Sequence, residues 1–125
     1  MSKQASPIFL PAIRQDIREI VLWSEEHFGV AAADRYGALI RQALRDVQAD
    51  PLRPGARARS DLAPNAYVYH LAFSRNRVTG DAVKAPRHFV LYRFVGSTVE
   101  FARMLHDSRD LALHLPEEYD DAEQA

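Results

Sequence analysis

The chain has 125 residues, 47% of them hydrophobic and 26% charged, with a formal net charge of −1, which implies one domain able to bury a core without staples. It has no cysteine, so disulfides, thiolate metal sites and thiol nucleophiles are excluded, and no apolar run approaches the ~20 residues of a membrane span. Met1–Ala5 lacks the apolar core of a secretory signal, so a soluble cytoplasmic domain is expected.

Ser6-Pro7-Ile8-Phe9-Leu10 is short, apolar and followed by proline, and predicts a brief strand. Pro11 suits the first position of a helix. From Pro11 to Phe28, Ile13, Ile17, Ile20, Val21, Ser24 and Phe28 recur at spacings of three and four, which gives one apolar stripe. Trp23 and Phe28 lie on or beside it and are expected in the core. Gly29 is placed to end this helix with a left-handed cap. Ala33, Tyr36, Leu39, Ile40, Ala43, Leu44 and Val47 form the stripe of a second helix, which Asp50-Pro51 stops because a residue before proline avoids helical geometry. So short a link between two amphipathic helices predicts an antiparallel hairpin.

The loop 51–66 is rich in Pro, Arg and Gly. Tyr67–Phe73 alternates, with Tyr67, Tyr69, Leu71 and Phe73 on one face and Val68, His70 and Ala72 on the other. Ser74–Arg87 reads as a long polar loop. His88–Val95 reads as a central strand, Gly96-Ser97 as a turn and Thr98–His106 as the paired strand of a hairpin. Val99, Phe101, Arg103 and Leu105 are expected on one face of it. Asp107–Leu115 has room for one or two helical turns. The order strand, helix, helix, strand, strand, strand (β-α-α-β-β-β) predicts an α+β domain over residues 1–115, an antiparallel sheet with the helical hairpin packed on one face.

Residues 116–125 hold Glu117, Glu118, Asp120, Asp121 and Glu123 and no Lys or Arg, and are expected to be a disordered tail. Without them the chain has 16 basic and 12 acidic side chains, about +4. Fourteen of the basic residues are Arg, a side chain suited to bidentate recognition of carboxylate or phosphate. Many lie in the loops flanking the strand at 67–73. Arg57, Arg59, Arg75 and Arg77 there suit an acidic partner segment or a protein–DNA target better than a small-molecule substrate.

Arg93 and Arg103 lie within strands, where each must leave the core or find a partner. Arg93 is placed to pair with Glu100 across the hairpin. His106 ends the last strand, where an imidazole can serve as acid or base near neutral pH or be held structurally, for instance by Asp110. His70 and His88 fall on neighbouring strands, a pair without the third ligand of a zinc site. No metal or cofactor is expected.

Three segments, in this order, carry a family resemblance over residues 6–115. Leu10-Pro11-Ala12-Ile13-Arg14-Gln15-Asp16-Ile17-Arg18-Glu19-Ile20 runs into Trp23-Ser24-Glu25-Glu26-His27-Phe28-Gly29. The second is Leu91-Tyr92-Arg93-Phe94-Val95-Gly96-Ser97-Thr98-Val99-Glu100. The third is Arg103-Met104-Leu105-His106-Asp107-Ser108-Arg109-Asp110, followed by His114-Leu115. Together they resemble the ParE toxins of the RelE/ParE superfamily, the toxic half of type II toxin–antitoxin pairs. The long loop 74–87, Leu10 in place of a Ser or Thr helix cap and the acidic tail depart from the family pattern. The resemblance implies a cytoplasmic toxin that inhibits DNA gyrase without catalysing a reaction. It also implies neutralisation by a cognate ParD-like antitoxin in a hetero-oligomer, and operator DNA contacted indirectly through that antitoxin. Arg93, Arg103, His106 and Asp110 are the candidates for target binding. Arg57, Arg59, Arg75 and Arg77 are the candidates for antitoxin binding. The alternative is a RelE-like, ribosome-dependent mRNA endoribonuclease, with Tyr92, Arg93, Arg103 and His106 at the phosphate. Near-neutral overall charge favours the protein target, because ribosome binding demands a strongly basic surface.

Overall fold

The computed structural model describes residues 5–123. Strand β1 (Ser6–Phe9) leads into α1 (Pro11–Phe28), and α2 (Val30–Ala49) follows after one residue. Pro11 opens α1 behind Leu10, which provides no side-chain cap. Gly29 ends α1 and begins α2; its N–H donates to the Glu25 carbonyl at φ 91°. Its ψ of 169° puts it in an extended region that only glycine enters readily, not in the left-handed helical one the sequence predicts. The remaining elements are β2 (Arg57–Ala58), β3 (Ala66–His70), a 3-10 helix (Leu71–Arg77), β4 (His88–Val95), β5 (Thr98–His106), a 3-10 turn (Leu111–Leu113) and α3 (Glu118–Glu123).

The five strands form one sheet in the order β1-β5-β4-β3-β2. The helical hairpin and the α+β class follow the sequence reading, but the sheet is mixed. β1 pairs parallel with β5, and the other pairings are antiparallel. A hairpin would have made β1 antiparallel; instead α1 and α2 intervene and the chain returns to the edge of β5. The strand predicted over 67–73 ends at His70. There the His70 Nδ1 accepts the Ala72 N–H and starts the 3-10 helix.

Buried Asp46 of α2 holds that 3-10 helix. Its carboxylate accepts from Ser74 Oγ at 2.6 Å, Arg77 Nε at 2.9 Å and Gln42 Nε2 at 2.8 Å, and Tyr69 Oη meets Ser74 Oγ at 2.7 Å. Burial alone would raise the Asp46 carboxyl, but the hydrogen bonds from Ser74, Gln42 and Arg77 hold it below the usual carboxylate range.

Two apolar clusters sandwich the sheet. Ile13, Leu39, Ile40, Ala43, Val47, Tyr69, Val90, Tyr92, Phe101 and Met104 pack between sheet and helices. Leu10, Leu62, Ala63, Leu91, Ala102, Leu105, Leu111 and Tyr119 cover the other face. In the β4–β5 register Tyr92 opposes Phe101 and Leu91 opposes Arg103, so Ala102 is bulged out of the pairing. One extra residue reverses the alternation beyond it. Met104 thus shares the helix side with Val99 and Phe101, while Leu105 lies on the other, contrary to uninterrupted alternation.

The acidic tail also departs from expectation. Residues 118–123 are helical, and Tyr119 is buried against the second cluster. The Arg93 guanidinium lies 4.2 Å from the centre of its ring, a cation–π contact. Nothing in the composition of 116–125 marks one tyrosine as an anchor.

The free stretch of β5 is closed by α1. β1 pairs with β5 only through Phe101, so the Met104 N–H beyond it has no strand partner on that side. Asp16 supplies one: its Oδ2 accepts the Met104 N–H at 3.0 Å, and its two oxygens take Arg103 Nε at 2.7 Å and Nη2 at 2.8 Å. Arg103 Nη1 donates to the His114 carbonyl at 2.9 Å.

Asp16→Ala leaves Arg103 Nε and Nη2 and the buried Met104 N–H without their acceptor, and is expected to lower unfolding free energy by about 2–3 kcal/mol in urea titrations. A loss under about 0.5 kcal/mol, the range of an ordinary surface change, contradicts this role. The Tyr119 hydroxyl is buried without a partner among the described residues, so Tyr119→Phe is expected to leave stability unchanged or raise it by up to about 1 kcal/mol. Thermal melts that show a clear loss refute it.

Candidate functional site

The sequence's arginine candidates lie at separate places, and all but Arg57 are tied to a local partner. Arg93 Nε donates to Glu100 Oε1 at 2.7 Å, the cross-strand pair that the hairpin register predicts. Arg103 belongs to Asp16. Tyr92 is fully buried, its hydroxyl donating to the Pro51 carbonyl at 2.6 Å, and burial pushes that hydroxyl well above the ordinary tyrosine range. Asp110 caps the 3-10 turn by accepting the Ala112 N–H and does not bond His106. Arg59 makes a two-pronged pair with Asp61, at 3.0 and 2.9 Å. Arg57 is exposed on β2 and has no hydrogen bond from its side chain among the described residues. Arg75 donates to the Lys84 carbonyl and Arg77 to Asp46, which fastens the 3-10 helix and its loop.

The structure gathers other groups at the end of the sheet where β3, β4 and β5 meet the loop 78–87. His88 and His106 stand opposite each other on β4 and β5, their rings 5.4 Å apart and edge to face. His70 Nε2 meets Asp107 Oδ2 at 3.1 Å. Arg87 binds the same carboxylate through Nε at 3.1 Å and Nη2 at 2.9 Å. Those contacts, Arg87 first, hold the Asp107 carboxyl down at about 2. Tyr36 Oη lies 2.5 Å from His88 Nδ1 and accepts the Arg87 N–H at 3.2 Å. His70 and His88 are therefore engaged with different partners rather than paired for zinc.

Above this cluster opens a cavity of about 840 Å³ between the hairpin and the loop, lined by Ile20, Trp23, Phe28, Tyr36, Val83 and His106 among others. Trp23 is 54% exposed and Phe28 67% exposed; they do not lie in the core as the stripe implied. Asp16 of α1 meets Met104, two residues before β5 ends, so the end of α1 runs past the strand. Trp23 stacks on His27 with ring centres 4.1 Å apart and meets Phe28 edge-on at 5.6 Å. Element lengths gave no signal of this, because the nine residues of β5 span about 30 Å and the 18-residue helix about 27 Å.

A helical hairpin on one face of a small mixed sheet, with a second apolar layer on the other face, defines the class: a two-layered α+β domain. One solved structure with this fold is described as the chromosomal ParDE TA system from P. aeruginosa; it aligns with TM-score 0.60 and 12% identity over 84% of this chain and 98% of that chain. The family model of the ParE toxin of type II toxin–antitoxin system, parDE, matches residues 8–111, and the chain belongs to that family. No curated protein matches it. No helix among the described residues is long and apolar enough to cross a membrane.

Burial, then the neighbouring His106, lowers the His88 imidazole from 6.5 to about 4. The unfolded chain therefore binds more protons than the folded one between these values, and stability falls as the pH drops through them. From pH 7 to 5 the loss expected from His88 is on the order of 1 kcal/mol after solvent screening of a partly exposed ring. Denaturant titrations should show a shallower pH slope for His88→Phe; an unchanged slope refutes the assignment.

Proposed function

We propose that this toxin acts in the cytoplasm by inhibiting DNA gyrase, trapping its cleaved-DNA complex. A cognate ParD-like antitoxin neutralises it in a hetero-oligomer and carries the contacts to operator DNA. The family match over residues 8–111 supports this reading above all else. Geometry weighs against the endoribonuclease alternative. Phosphate cleavage needs positive charge and a proton donor and acceptor around one phosphate. Tyr92 is sealed between sheet and helices, Arg93 lies against Tyr119 on the other face, Arg103 is bound to Asp16 at the edge, and His106 lines the cavity. These four side chains converge on no common site.

Target contact is assigned to the polar groups of the matched motifs, the partly buried Arg93, Arg103 and His106 and the exposed Asp110. Arg93 and Arg103 keep partial exposure beside their carboxylates, so a partner's anion has access to their remaining donors. Arg57, Arg59, Arg75 and Arg77 are assigned to an acidic antitoxin segment, which would order on binding.

Purified toxin in molar excess is expected to abolish supercoiling of relaxed plasmid by gyrase and to accumulate cleaved DNA, with activity restored by the antitoxin. Undiminished supercoiling overturns the proposal. Message cleavage on purified ribosomes that disappears in His106→Ala would establish the endoribonuclease instead.

A further inference from the structure

The cavity beneath Trp23 and Phe28 has a polar floor whose donors and acceptors are fixed by its neighbours. His106 Nδ1 accepts the Ser108 N–H at 3.1 Å, so the proton of the neutral ring sits on Nε2. Tyr36 Oη already accepts the Arg87 N–H, and the arrangement that pairs its own proton donates it to His88 Nδ1. The neutral His88 therefore also carries its proton on Nε2. Neither Nε2 has a hydrogen-bond partner among the described residues, and neither is among the buried unpartnered atoms, so both remain open to solvent. Two histidines that line the cavity thus each keep a ring N–H without a partner among the described residues, while both Nδ1 nitrogens are engaged by the protein. The cationic side chains lining the cavity are Arg35, Lys84 and Arg87, against the single acid Asp81. Arg87 is largely neutralised by Asp107, which leaves Arg35 and Lys84 in excess of Asp81. The walls are the apolar and aromatic faces of Ile20, Trp23, Phe28 and Val83.

Donors without acceptors at the bottom, a positive rim and aromatic walls select one kind of ligand. We propose that this cavity binds a small free carboxylate carried on an aromatic or branched aliphatic body. The carboxylate would accept from the Nε2–H groups of His88 and His106, and the apolar body would lie against Trp23 and Phe28. A volume of about 840 Å³ is in the range of small-molecule sites. A neutral amide of the same shape brings an NH₂ donor to a floor that already consists of donors, and a cationic amine faces the positive rim. This site is independent of gyrase inhibition, since it requires only the cavity.

Trp23 is the chain's one tryptophan, so its fluorescence reports the cavity directly. The full chain is titrated with 3-phenylpropionate, with 3-phenylpropionamide and with an acetylated, amidated Phe-Glu dipeptide. The carboxylate is expected to give a saturable Trp23 change and to bind about tenfold or more tighter than the amide, the margin of a charge-assisted hydrogen bond. His106→Phe is expected to cut that ratio to below about threefold. Val83→Trp, a loop substitution that fills the cavity, should abolish the binding; its own indole is subtracted by following calorimetric heats. Equal affinity for carboxylate and amide overturns the proposal, as does no saturable change with the free acid. Binding of the dipeptide alone also overturns it, by making the cavity a peptide site.

Discussion

One carboxylate joins the halves of this molecule. Asp16 stands on the second turn of α1 and accepts both the Met104 N–H and the Arg103 guanidinium. An unpaired strand edge is a cost in buried polar groups and an invitation to another chain. Here β1 closes the first part of that edge and Asp16 the next, so the helix that leaves β1 also completes the strand that β1 pairs with. The orientation of α1 over the sheet follows. With its second turn pinned to β5, an 18-residue helix must overshoot, and its far end stands clear with Trp23 and Phe28. The cavity beneath them is a consequence of where the anchor lies.

The same economy appears at the other anchors. Asp46 collects Ser74, Arg77 and Gln42 and so fixes the start of the long connection between β3 and β4. Arg75 ties the middle of that connection back on itself through the Lys84 carbonyl. Asp107 takes Arg87 and His70 at its end. A loop that composition marks as polar and long is thus held at its beginning, middle and end by charge-assisted bonds, which are shorter and stronger than neutral ones. That is what allows a segment with few apolar residues to form a stable wall.

The parts of the fold legible in sequence are those governed by local chemistry. Pro11 and Gly29 bound α1 because one presets helical φ and the other accepts a positive one. The alternation of His88–Val95 and Thr98–His106 marks β4 and β5 to the residue, and the Arg93–Glu100 pair follows from that register. What was not legible depends on partners far away in the chain. Asp16 and Arg103 are 87 positions apart, and although Arg103 in its strand calls for a partner, nothing in either segment names the other. The bulge at Ala102 arises from the fit of two strands, and it moves Leu105 to the other face without leaving a mark in composition. Tyr119 sits in a stretch whose charge argues for a solvated tail; one aromatic ring placed against Arg93 outweighs that average. His88 and His106 were each visible, but their pairing needed the β4–β5 register, and their roles as donors needed the hydrogen bonds of Tyr36 and Ser108.

The distribution of strand lengths bears on how the chain behaves when concentrated. The outermost strands are β1, four residues long and containing Pro7, and β2, two residues long. Pro7 lacks an N–H to offer a neighbour, and two residues are too few to nucleate pairing. Edge-to-edge strand pairing of one molecule on another therefore finds little template at these outermost strands. Exposed apolar side chains such as Trp23, Phe28 and Phe73 offer reversible contact rather than the continuous backbone pairing that builds fibres.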